Sequence, residues 1–464
     1  MYIVIIPMVV MIGIVLIKKI PVIGGNIQVA LISAGLLSLI LGGIYNPINW
    51  LQAWISGVDR IAWVIFLSVF GSIYAETQTK MGALETVLGS LRARFGHSPR
   101  GLIVTVLIAL GIAGSLLGDS IAAATVVGVL TVKSMADLGL SGELISGIIV
   151  IGASMGSIMP PISQAIFLSA SLLNVNPDGL VQISYITVGL GIVFCCWFVA
   201  TFYVKKDVRL PEELIPKETA GQILAQRWKT LIPLMVLSTL VILRSIPFPN
   251  GFRIDLIKMV LDMIHIGDKT FLSWIGGITI LKGFSNIIVL AIIIAAIIAF
   301  IFYKEVRKDA GAVFIQGLKN VRTSASVQLC TGLMLGGFYA GGQIEAVKNF
   351  AMGLNATMLK WGGAGALTIL GMLTGTQSTA QTTIFSFLGP TLVEMGINAN
   401  QVGVFGSHVA AAGQGLPPAD LLTFVVAGLI GGMLNRKVDP LKSMIYSSVF
   451  CLWLFIAGMI VLYI

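Results

Sequence analysis

Long apolar stretches recur along the whole chain, and no other feature constrains its folding as strongly. Ten are clear: 2–17, 22–44, 61–78, 101–117, 183–204, 230–246, 285–303, 323–341, 362–374 and 442–463. The hydrocarbon core of a bilayer is about 30 Å thick and takes about 20 residues of apolar helix to cross. Backbone groups in lipid must bond within their own segment, so each stretch reads as a helix. Charge is correspondingly scarce. Only 11% of the 464 residues are Asp, Glu, Lys or Arg, where a soluble domain carries about 25%. That leaves too little polar surface to coat a soluble particle. A soluble enzyme, a secreted disulfide scaffold and a disordered protein are excluded. An all-α polytopic membrane protein remains.

The few charges set the orientation. Arg92, Arg94 and Arg100 flank one loop with no acid among them. Lys205, Lys206 and Arg209 follow one span, Lys304, Arg307 and Lys308 another, and Arg436 and Lys437 the last polar break. By the positive-inside rule these four places face the cytoplasm, as do Lys18 and Lys19 behind a retained first helix. The excess of 29 basic over 20 acidic residues is thus a matter of topology and calls for no nucleic-acid partner. Segment 247–284 has mixed charge and falls outside. Within it Asp255, Lys258 and Asp262 share one helical face, and Leu256, Ile257, Val260 and Ile264 lie elsewhere. That is the pattern of a helix lying in the membrane interface or of a packed connector. Cys195, Cys196, Cys330 and Cys451 stand in apolar runs without metal-ligand spacing and read as packing residues. His97, His265 and His408 form no cluster, and no cofactor is expected.

Two regions, 118–181 and 375–434, are apolar yet cut by Gly, Ser, Thr, Gln and paired prolines. They fit broken helices and re-entrant hairpins, which survive at membrane depth only inside protein or along a cavity. They are also related. Gly114, Leu116, Gly118, Ala123, Thr125, Gly139, Ala153, Gly156, Pro160 and Pro161 match Gly371, Leu373, Gly375, Ala380, Thr382, Gly396, Ala410, Gly413, Pro417 and Pro418 at a constant offset, 375 − 118 = 257. The matches concentrate on the residues that fix backbone breaks. Upstream, Gly82-Ala-Leu-Glu85-Thr-Val87 echoes Gly342-Gln-Ile-Glu345-Ala-Val347. The arm 83–100 reads as cytoplasmic and its partner 343–360 as external, so the halves are expected to be inverted. Inverted repeats with matching interruptions point to a secondary transporter whose site lies near the midplane between them. The expected organisation is a first repeat over 1–204, a cytoplasmic linker over 205–229, and a second repeat over 230–464 that contains the 247–284 insertion.

The runs Gly118-Asp-Ser-Ile-Ala-Ala-Ala-Thr-Val-Val-Gly128, Met135 to Gly139, and Gly156-Ser-Ile-Met-Pro-Pro161 resemble the signature of the large membrane subunit of tripartite ATP-independent periplasmic (TRAP) transporters. More broadly they resemble the ion transporter superfamily. The resemblance covers most of the chain in architecture, with its specific motifs in the two broken regions. It implies a scaffold and a moving transport domain, an elevator mechanism, coupling usually to Na⁺, a bacterial inner-membrane location and a homodimer. It also leaves room for a periplasmic binding protein and a small membrane subunit.

Na⁺ wants several hard oxygen ligands, which unwound backbone carbonyls at Gly-rich breaks supply with help from side chains. Gly118, Asp119 and Ser120 with Ser154 and Gly156 form one candidate cation site; Gly375, Thr376, Gln377 and Ser378 with Gly413 and Gln414 form the other. Thr125, Pro160, Pro161, Ser163, Gln164, Thr379, Gln381, Thr382, Pro417, Pro418 and Asp420 are candidates for the substrate, helped by the N-terminal ends of the broken helices. Ser and Thr at these places could equally serve close helix packing. Asp119 and Asp420 stand out because an ionisable residue at membrane depth is by default a functional one. Asp420 is also a natural helix N-cap. The expected activity is Na⁺-coupled transport of a small organic carboxylate, a dicarboxylate above all. Two alternatives stay open: a Na⁺/H⁺ or H⁺-coupled antiporter without organic substrate, and a TRAP permease subunit that needs its partners. No nucleophile–base set, HExxH or phosphate loop marks an enzyme.

Overall fold

The computed structural model describes residues 2–17, 24–204, 211, 215, 217–245, 254–351, 353 and 355–464. Lys18, Lys19, Lys205, Lys206 and Arg209 lie outside the described residues, as does the start of the 247–284 insertion, 247–253. In the first half the helices are α1 (Tyr2–Leu16), α2 (Ile27–Leu41), α3 (Pro47–Arg60), α4 (Ala62–Met81), α5 (Ala83–Phe95), α6 (Pro99–Leu117), α7 (Ser120–Ala123), α8 (Val129–Asp137), α9 (Gly142–Ile158), α10 (Gln164–Leu173) and α11 (Asp178–Phe202). The middle holds α12 (Ala220–Arg227), α13 (Ile232–Ser245), α14 (Leu256–Leu261), a hairpin of β1 (His265–Ile266) and β2 (Lys269–Thr270), and α15 (Phe271–Gly276). The rest is α16 (Ile287–Phe302), α17 (Lys304–Lys308), α18 (Ala310–Ala340), α19 (Gln343–Ala351), α20 (Ala356–Thr374), α21 (Gln377–Ala380), α22 (Ser386–Glu394), α23 (Ala399–Gly415), α24 (Leu421–Leu434) and α25 (Pro440–Tyr463).

Several of these helices are long and apolar enough to cross a membrane, and α3 and α4 form a pair bent by 60°. The bend falls at Arg60–Ile61, between an amphipathic helix with Pro47 in its first turn and an apolar one. The apolar stretches alone do not reveal it. Another difference concerns 101–117 and 362–374, which read as plain spans. The structure makes each the first leg of a helical hairpin. The second leg runs from α7 to α8 through a π-helical turn at Ala124–Gly128, and from α21 to α22 through one at Gln381–Phe385. Leu102, Thr105 and Val106 near the start of α6 line one cavity with Leu130, Thr131 and Ser134 of α8, so the legs run antiparallel. The segment expected to be external differs too. Its helix α14 has only 6 residues and leads into the β-hairpin, whose turn carries Gly267 at φ 60°.

Element bounds recur at the sequence offset. α6 and α20 have 19 residues each, α7 and α21 have 4, the π-turns 5, α8 and α22 9, and α9 and α23 17. The peptides Pro160–Pro161 and Pro417–Pro418 are both cis.

Two groups of helices emerge from the packing. α6, α9, α11, α23 and α25 pack on one another, with α10 on α23 and α24 on α9. α18 packs against α2, α3 and α4, and α16 against α4 and α13. Glycines allow this second group to close up: a Cβ on Gly35 would lie 2.8 Å from the Leu333 carbonyl oxygen. Small residues at such crossings bring helix backbones into dispersion contact where lipid gives no hydrophobic drive. The linker helix α12 lies on the arm helix α5, and Thr86 meets Thr230 at 3.1 Å.

Candidate functional site

The tip of each hairpin is a left-handed turn of the backbone, and glycine occupies it. Gly118 has φ 66° and Gly375 φ 64°, a region that costs a residue with a side chain about 1–2 kcal/mol. Each tip also lies against a proline break of its own half. In the first half the Ile162 N–H donates to the Ser115 carbonyl at 3.1 Å, and a Cβ on Gly118 would stand 2.7 Å from Ile162 Cγ2. In the second half a Cβ on Gly375 would strike the Ala419 carbonyl oxygen, and one on Gly371 would lie 2.8 Å from the Gln414 nitrogen. Sequence positions about forty residues apart are thereby brought together twice.

In the first half, Asp119 is the N-cap of α7; its Oδ1 accepts the Ala122 N–H at 2.7 Å. Asp119, Ser120 and Thr125 are half-buried, and Ser154 and Gly156 are buried in α9. Ser157 donates to the Ser154 carbonyl at 2.9 Å. Past Pro160 and Pro161, Ser163 is buried and caps α10, and Gln164 is half-buried.

In the second half the polar side chains interlock. The Thr376 hydroxyl donates to Thr379 Oγ1 at 2.6 Å, and Gln414 Oε1 accepts the Gln377 N–H at 2.9 Å, tying the tip to the helix before the break. Ser378 and Gln414 are half-buried and Gly413 is buried; of the prolines, Pro417 is half-buried and Pro418 exposed. Asp420 is the N-cap of α24. Its carboxylate accepts the Leu422 N–H at 3.3 Å, the Thr423 N–H at 3.2 Å and the Thr423 hydroxyl. Both aspartates thus sit where a helix N-terminus favours negative charge.

Three candidates have their hydrogen-bond donors committed elsewhere, although Gln381 Oε1 is buried without a partner. Thr125 donates back to the Ile121 carbonyl at 2.8 Å and Thr382 to the Ser378 carbonyl at 2.8 Å, so either hydroxyl can offer a ligand only its lone pairs. Gln381 is fully buried and donates to the Ala165 carbonyl and Ser169 Oγ, both at 2.7 Å. It stitches the second hairpin to α10 of the first half. Sequence reasoning passed over Thr374, whose hydroxyl bonds the Leu370 carbonyl beside the tip at 2.7 Å. It also passed over His408, fully buried, with Nε2 2.8 Å from Thr187 Oγ1 and Nδ1 3.1 Å from Ser407 Oγ. A histidine inside an apolar helix was the available signal. Among the described residues no group of three or more His, Cys, Asp or Glu could hold a metal ion.

This architecture defines a class. The fold is similar to that of the Alcanivorax borkumensis YdaH transporter, with TM-score 0.58 and 15% identity over 89% of this chain and 87% of that one. It is similar also to that of Neisseria gonorrhoeae MtrF, with TM-score 0.57 and 13% identity over 90% of this chain and 84% of that one. The protein thus shares the all-helical fold of these two transporters. The chain belongs to the DctM component of the tripartite ATP-independent periplasmic transporters, whose family description matches residues 10–464. No curated protein matches the chain in sequence. The protein is a transporter membrane subunit and not an enzyme, multi-pass in the bacterial inner membrane. A DctM component works with a periplasmic binding protein and a small DctQ subunit. Of the readings the sequence left open, membership favours the binding-protein-dependent subunit over the stand-alone carrier.

Proposed function

We propose that this subunit carries a small organic carboxylate, a dicarboxylate above all, together with Na⁺, handed over by a periplasmic binding protein. The observation that carries the reading is the pairing of each hairpin tip with a proline break, Gly118 with Ile162 and Gly375 with Ala419. Such breaks present unbonded carbonyls and hydroxyls at one point, and several oxygens at one point suit a hard cation. One cation would be held by the backbone at Gly118 and Gly156 with Asp119, Ser120 and Ser154. A second would be held at Gly375 and Gly413 with Thr376, Gln377, Ser378 and Gln414. Ser163, Gln164, Thr379 and Asp420 would border the carboxylate. Bound cations then offset the two aspartates, so that an anion can approach a site whose own charge is negative.

The matched element lengths support two inverted repeats with re-entrant hairpins. The packing groups support a moving bundle of hairpins, broken helices, α11 and α25 beside a wall of α1–α4, α13, α16 and α18. Sliding of that bundle along the wall would expose the site alternately to each side. The test is uptake by proteoliposomes that hold this chain with its small subunit, supplied with loaded binding protein and an inward Na⁺ gradient. Dicarboxylate accumulation should need both the gradient and the binding protein. Equal uptake from K⁺ medium would refute Na⁺ coupling, and equal uptake of free substrate would refute the hand-over.

A further inference from the structure

A cavity of about 680 Å³ opens between α11, α13 and the insertion. Around it stand Asp178, Arg244 and Asp255, each mostly withdrawn from water. Their side chains keep 6%, 14% and 16% exposure. Arg244 Nε lies 3.5 Å from Asp178 Oδ1 and 3.6 Å from Asp255 Oδ2. Asp255 is fixed as the N-cap of α14, where it accepts the Lys258 N–H at 2.9 Å. Asp178 opens α11, and Asn176 Oδ1 accepts its N–H at 3.0 Å. Arg244 ends α13, and its Nη1 is buried without a hydrogen bond.

These residues belong to different packing groups. α11 is held to the hairpin bundle: Thr187 bonds His408 of α23, and Trp453 Nε1 of α25 donates to the Thr187 carbonyl at 2.9 Å. α13 packs on α16 of the wall. Lys80–Asp309 joins elements beside α4 and α18, and Lys282–Asp59 joins the insertion to the wall, whereas Asp178–Arg244 crosses from bundle to wall. Separating a mostly buried guanidinium from one of its carboxylates leaves charge poorly compensated. A bundle that slides must break this contact, because Arg244 stays with Asp255.

We propose that Asp178 and Arg244 form a latch that ties the bundle to the wall and insertion in this conformation. The pair thereby sets the balance between this state and the alternative one. The proposal rests on the moving-bundle reading above.

The test uses the full chain with its small subunit. Nitroxide labels are placed at Met235 of α13 and Val193 of α11, both exposed, in a Cys330→Ser background, and the interlabel distance distribution is measured. Wild type should show two distances whose ratio responds to Na⁺ and substrate. Asp178→Asn and Arg244→Gln should each deplete the state described here at least fivefold, and Arg244→Lys, which keeps the charge, should retain more of it than Arg244→Gln. Asp59→Asn, which breaks a pair between wall and insertion, should leave the ratio unchanged. An unchanged ratio in Asp178→Asn, with two distances still present in wild type, overturns the latch and leaves the moving bundle standing. A single distance in wild type under all conditions overturns both.

Discussion

Replacing Gly375 with alanine isolates the geometry of the second hairpin tip. The residue sits at φ 64°, so any side chain brings a backbone cost of about 1–2 kcal/mol. The added Cβ would also collide with the Ala419 carbonyl oxygen, which is backbone and cannot rotate away. Forcing an extra methyl into a packed site costs about 1–3 kcal/mol more. Together the tip should lose about 2–5 kcal/mol, enough to separate it from the break at Pro417–Pro418. Gly396 is the control. It has φ 87°, yet nothing lies within 4 Å of its Cβ position, so alanine there should cost only the backbone strain, about 1–2 kcal/mol. Thermal unfolding and Na⁺-driven uptake would be measured on both variants, reconstituted with the partner subunits. Gly375→Ala should lose most of its uptake and unfold at a lower temperature than Gly396→Ala, which should keep its uptake. If Gly375→Ala transports like wild type and unfolds no earlier than Gly396→Ala, the tip does not work against the break as described.

Other substitutions probe the rest of the site. Asp119→Asn can still accept the Ala122 N–H, so its thermal stability should hold while the Na⁺ dependence of uptake weakens or disappears; unchanged Na⁺ dependence would remove Asp119 from the cation site. Asp420→Ala should lose about 0.5–2 kcal/mol of stability with its cap, and Asp420→Asn should recover most of that in a melting experiment without recovering uptake. A stable Asp420→Ala protein would show that the cap contributes nothing there. Gln381→Leu should leave the Ala165 carbonyl and Ser169 hydroxyl without their donor, at about 1–3 kcal/mol for each buried group so stranded. An unaltered melting temperature would refute its role as a cross-link between the halves.

The backbone breaks were legible in the sequence because few residues can make them. Gly118, Gly375 and the two proline pairs announced both regions and their offset, since a left-handed turn or an interrupted helix leaves little choice of residue. The hairpin boundaries were not legible. An apolar run such as 101–117 looks the same whether it crosses the bilayer or forms one leg of a hairpin; hydropathy carries no information about what lies beyond its end. The polar partners were hidden for another reason. His408 meets Thr187 across 221 residues and Gln381 meets Ala165 across 216, and no local pattern encodes such distances. Asp119 and Asp420 stand out in the sequence as conspicuous acids, and Asp420 already reads there as an N-cap; only the structure reveals that Asp119 caps a helix too. The bend at Arg60–Ile61 was missed because 47–60 is amphipathic and does not register as a span.

The equal lengths of the paired legs carry a consequence for how this chain can vary. Each residue of helix advances the chain by about 1.5 Å and turns it by about 100°. Deleting one residue from α6 or α20 would barely change its hydrophobicity or its helix propensity. It would nevertheless rotate the tip by more than a quarter turn, so that Gly118 or Gly375 no longer meets the proline break of its own half. Length in these legs therefore acts as an aiming device. Single-residue insertions and deletions should be far more damaging there than in the segment 254–286, where the chain only has to return to the wall.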